Sequence, residues 1–138
     1  MIASLVFGAC GLLAAAAVEF FLRALADQAG VSRWLFVAVP GLFAMLYALL
    51  LYQNAARKIK KVGESVSRGV LIALLTWMSF SIMATWAWCP AAQVGQCFTH
   101  LLLGSAFIGG GPMLAAGLIA GVLAGVLIIR PPRKEPTE

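Results

Sequence analysis

Residues 101–129 carry no charged side chain, and one helix through all 29 of them would be about 43 Å long. A hydrocarbon core roughly 30 Å thick is crossed by about 20 apolar residues, so this run belongs in a bilayer and is also too long for a single upright crossing. Three more apolar runs, at 2–22, 34–52 and 69–88, are each of crossing length. With 62% hydrophobic and 11% charged residues and a mean hydropathy of +0.97, the chain lies far from the soluble balance of roughly a quarter charged residues. The expected fold is an all-α membrane protein, a four-helix transmembrane bundle. It forms one domain over 1–129, with spans at about 2–22, 34–52, 69–88 and 112–129, and residues 130–138 are a polar, Pro-rich tail expected to be disordered.

The excess length of the last run needs a break, and Gly109, Gly110, Gly111 and Pro112 supply one: three permissive residues, then a proline suited to the first turn of a helix. Residues 112–129 then span alone, and 98–108 become a short interfacial or re-entrant helix. A single tilted, bent helix accounts for the same residues. In the second span, Pro40 followed by Gly41 predicts a kink, and Trp34 and Tyr52 read as aromatic anchors at the two headgroup levels. Ala14 to Ala17 before Glu19 imitate a cleavage site, but no Lys or Arg precedes them, so the first span is expected to be retained.

Orientation follows from the basic residues. Arg57, Lys58, Lys60 and Lys61 cluster in the loop after the second span. With four spans, eight basic residues fall on one side (those four, Arg68, Arg130, Arg133 and Lys134) and two, Arg23 and Arg33, on the other. Lys and Arg accumulate in cytoplasmic loops, which predicts both termini inside and the loop holding Cys89 and Cys97 outside. The chain carries a net charge of +5, but its basic residues flank apolar spans and are not interleaved with exposed aromatics. Anionic lipid headgroups are therefore the expected partner, and nucleic acid is not.

A few residues stand out for chemistry or packing. Gly117, Gly121 and Gly125 recur every fourth position, with Ser105 and Gly109 on the same register beyond the break. Such a stripe lets a second helix approach backbone to backbone, either within the chain or between copies. Cys89 and Cys97 flank an uncharged loop on the oxidising side and are expected to form a disulfide; with His100 they match no zinc spacing. Cys10 reads as a small buried hydrophobe.

Glu19 is the one acidic residue within an apolar run. It is either an ion or proton site or, one turn before Arg23, half of an interfacial ion pair. His100 reads as an interfacial residue. The sequence has no nucleophile elbow, paired carboxylates, HExxH, P-loop or pair of axial histidines, so neither enzymatic activity nor a cofactor or metal is expected.

The expected function is that of a small multi-pass inner-membrane protein. It would act as an accessory, assembly or immunity-type subunit, by helix packing with another membrane protein or with itself. The alternative is a minimal oligomeric transporter or channel for a small solute or ion, with Glu19 as the coupling site.

Overall fold

The computed structural model describes residues 2–25, 33–53 and 61–128, with side chains described for all of these except 21–25, 33–36, 88 and 128. Among these residues are five α-helices: α1 (Ile2–Leu25), α2 (Arg33–Gln53), α3 (Val62–Trp88), α4 (Val94–Ile108) and α5 (Gly110–Ile128). A single 3-10 turn (Ala91–Gln93) precedes α4. No strand occurs among the described residues. The basic positions Arg57, Lys58, Lys60, Arg130, Arg133 and Lys134 and the tail 130–138 lie outside the described residues.

Three helices, with apolar segments Ile2–Phe20, Val62–Ala87 and Gly110–Leu127, are long and apolar enough to cross a membrane, and Val37–Gln53 is a shorter apolar helix. The distribution of side-chain size agrees with a lipid surround. The core is built from small residues, with Ala3, Ala44, Ala48, Ala120 and Ala124 buried around Phe7, Tyr52 and Ile72. The bulky apolar groups point outward: Phe107 is 89% exposed, Trp86 83% and Phe20 75%. In water this arrangement would leave large apolar area uncovered, whereas in hydrocarbon it costs nothing and lets backbones come close.

Two small-residue seams set the packing. Along α1 and α2, a Cβ added at Gly11 would sit 3.1 Å from Ala44 Cβ and 3.3 Å from Gly41 Cα. Along α3 and α5 the fit is tighter. A Cβ at Gly117 would lie 2.8 Å from both Ala73 Cβ and the Gly69 carbonyl oxygen, and one at Gly121 would lie 2.9 Å from Val66 Cα. A Cβ at Gly69 would overlap the Gly117 carbonyl oxygen. Both pairs run antiparallel, and contacts of α1 with α5 and of α2 with α3 close the ring of four.

The helix boundaries differ from expectation in two places. α3 begins at Val62, seven residues before the apolar run that marked it, so Glu64, Ser65 and Arg68 are on a helix and not in a loop. Apolarity reports what tolerates lipid, and it does not report where a helix starts. Glu64 in the first turn suits the positive end of the helix dipole, and its N–H donates to the Lys61 carbonyl at 3.1 Å.

The second difference is at 98–108, expected either as a short separate helix or as one arm of a bent one: the helix begins earlier, at Val94, and its ladder runs on into α5. Gly109 N–H donates to Ser105 O at 2.7 Å and Met113 N–H to Gly109 O at 3.0 Å, so the helical ladder continues across the hinge. α4 packs against α3 and, less extensively, against α5. Pro112 offers no N–H to the preceding turn and crowds it, which is why the bend falls there. Pro40, by contrast, lies inside an unbroken α2.

Candidate functional site

The two ends of the bundle are built differently. At the end nearest the chain termini, Tyr52, next to the last residue of α2, is buried at 5% exposure among the other helices. Its hydroxyl lies 2.7 Å from Ser65 Oγ and donates to Ser65 O at 3.2 Å, while Phe7 packs on its ring at 5.7 Å between centroids. The Arg68 guanidinium lies over the same ring, 5.9 Å from its centre, within range of a cation–π contact. The Arg68 Nη1 is buried with no hydrogen-bond partner among the described residues. Lys61, at the N-cap of α3, is exposed.

At the disulfide end α4 leans against α3 and α5, and its contacts with α1 and α2 are minor at most. A half-enclosed cavity of about 260 Å³ results, bounded by Ala15 and Val18 of α1, Pro40 of α2, Trp77 and Phe80 of α3 and the inner face of α4. Its walls are apolar. The polar groups near it are largely engaged with protein: Trp77 Nε1 donates to Ser105 Oγ at 2.8 Å, and Ser105 Oγ donates to the Leu102 carbonyl at 3.1 Å. His100 is exposed and contributes to the outer wall. Ser81, also in the wall, has a buried Oγ without a partner among the described residues.

The residues singled out from sequence fall in several places. Gly117, Gly121 and Gly125 meet α3 of the same chain, Gly125 opposite Ser65 and Val62, so this stripe is occupied within the monomer. Cys89 and Cys97 lie at disulfide distance with Cα atoms 6.1 Å apart, tying the end of α3 to the first turn of α4. Glu19 is half-buried on α1, next to the cavity-lining Val18; the side chain of Arg23, its suggested partner, lies outside the described residues. Cys10 is half-buried. It shares with Thr76 a cavity of about 20 Å³, room for one water beside Thr76 Oγ1, which has no partner among the described residues. Among the described residues no three His, Cys, Asp or Glu side chains gather as a metal site.

Sequence reading missed three features. One is the complementary stripe Ser65, Gly69 and Ala73 on α3, which has the same four-residue spacing as the glycines it meets. Another is the pairing of Tyr52 with Ser65 across the basic loop. The third is the cavity, which no local pattern encodes, because it arises where one helix bends away from others distant in sequence. Comparison of the chain with known protein families, with curated proteins and with solved structures finds no match.

Proposed function

We propose that this chain is a non-catalytic accessory subunit of the cell inner membrane. It crosses four times, with both termini and the basic loop in the cytoplasm, and engages another membrane protein through α4. The observation that carries the reading is that α4, 15 residues long, has no buried residue in its own bundle. It is tethered at one end by Cys89 and Cys97 and at the other by the glycine hinge, and it presents Leu103 and Phe107 outward. The glycine stripe of α5, the obvious packing face in the sequence, is taken up by α3, so a partner must dock elsewhere. The eight-to-two distribution of basic residues supports the orientation, and exposed Lys61 beside the loop suits anionic headgroups.

The cavity's apolar walls weigh against a polar solute pathway, since an ion or hydrophilic solute leaving water must find replacement hydrogen bonds. Photo-crosslinkers placed at Phe107 and at Leu127 in intact membranes test the reading. The expected result is an adduct with a second membrane protein at Phe107 and only lipid at Leu127. Protein-free adducts at both positions would end the accessory reading. Proton-coupled flux from reconstituted wild type that Glu19→Gln abolishes would replace it with the transporter reading. Reporter fusions that place residues 57–61 outside would overturn the orientation.

A further inference from the structure

We propose that the cavity at the disulfide end holds one acyl chain of a phospholipid from the outer leaflet, with its headgroup at the level of His100. This rests on the membrane placement given above and does not depend on the identity of any protein partner.

The shape of the cavity argues for a chain. From His100 to Gly109 its α4 wall runs nine residues, about 13 Å of helix. A volume of about 260 Å³ along that wall is room for an elongated apolar group. Scaled from an apolar cavity of roughly 150 Å³ that takes a benzene, the same volume takes on the order of ten non-hydrogen atoms. A single protein side chain does not fill so long a slot.

The surroundings argue for lipid as the source. Among the described residues the walls offer Ala15, Val18, Phe80 and Ile108 and no Asp, Glu, Lys or Arg. On the membrane placement proposed above, the flank where α4 stands off from α1 opens to the bilayer, the reservoir of alkyl chains. An empty apolar slot would forfeit dispersion contacts along its whole lining.

At the outer rim the His100 imidazole carries at least one N–H in either protonation state and can donate to an ester or phosphate oxygen. Nothing charged lies between Cys89 and Gly110 to repel a zwitterionic or anionic headgroup. Gly104, midway along the slot, has nothing within 4 Å of an added Cβ. A large side chain there therefore enters the slot without displacing backbone.

The test uses the full chain reconstituted in vesicles of phosphatidylethanolamine and phosphatidylglycerol. A fraction of the phosphatidylethanolamine carries a diazirine midway along one acyl chain. After illumination, adducts are expected on the cavity residues Phe80 and Leu101 as well as on the lipid-facing Val122 and Leu127. Gly104→Phe is expected to lower the cavity adducts at least tenfold and leave those on Val122 and Leu127 unchanged. Native mass spectrometry from mild detergent is expected to show one retained phospholipid on wild type, several-fold less on His100→Ala and none on Gly104→Phe. Ile108→Trp, at an exposed wall position, gives a second blocked variant should Gly104→Phe fail to fold.

Undiminished cavity labelling in a folded blocked variant would overturn the proposal, as would a wild type that retains no lipid. So would a photo-crosslinker at Leu101 that captures protein in place of lipid. A chain correctly inserted and still crosslinked to a partner at Phe107, yet empty of lipid, would lose this inference alone.

Discussion

The terminal and disulfide ends of the bundle solve the same problem, holding helices together in lipid, by opposite means. At the terminal end, backbones touch: Gly69 and Gly117 exclude any side chain between α3 and α5, and Tyr52 joins Ser65 by hydrogen bonds. At the disulfide end, α4 hangs on Trp77–Ser105 and on Cys89 and Cys97, and it leaves a cavity beneath it. Lipid is as apolar as leucine, so helices there gain little from burying bulky groups and rely on close approach or on polar pins. Where backbones touch, as between Gly69 and Gly117, no side chain fits between the helices, and where pins replace that contact a cavity opens. In this molecule close packing and open space are thus segregated along the bundle, with the bend at Gly109 to Pro112 near the division.

A glycine scan is the sharpest way to break this contrast. Gly69→Ala places a methyl on the Gly117 carbonyl oxygen, and its cost is expected to reach about 3 kcal/mol or more, at the high end of overpacking. The measurement is thermal unfolding in mild detergent. An unchanged midpoint would mean that α3 and α5 do not touch as described.

Reduction of the Cys89–Cys97 pair should release about 2.5 kcal/mol of loop constraint, given its sequence separation of 8. The effect should be confined to the disulfide end. Hydrogen exchange should quicken in α4 and remain slow around Ala120 and Ala124. Uniform quickening would show that the two ends are one cooperative unit.

Tyr52→Phe removes the hydroxyl bonded to Ser65 and keeps the ring against Phe7. A loss of about 1 kcal/mol at the terminal end is expected in the same unfolding assay, with cavity labelling unchanged. The smallest effect is that of Gly104→Ala. Open space around its Cβ and the better helix propensity of alanine predict a change under about 1 kcal/mol, in the stabilising direction. A large loss there would mean that α4 is as tightly packed as α3 and α5, and the distinction between the ends would collapse.

Much of the frame was legible because its causes are local. The apolar runs follow from the cost of polar groups in hydrocarbon, the bend from Pro112 and its glycines, and the glycine stripe from a four-residue period. The early start of α3 was hidden because a polar first turn carries no hydropathy signal. The burial of Tyr52 was hidden because an aromatic near the end of a run gives no sign of what packs on it, and only the position of Ser65 supplies its hydrogen bond.

By itself, then, the sequence determined that helices form, which runs suit lipid, where the last one bends and which face of it is smooth. Tertiary structure decided which helix fills that smooth face, and it turned out to be α3 of the same chain. It also decided that α4 follows α3 down the bundle and that a cavity opens where α4 leaves α1. The physical reason is that a period or a composition constrains one helix against a generic neighbour. Identifying the actual neighbour, and the gap left beside it, depends on contacts between residues dozens of positions apart.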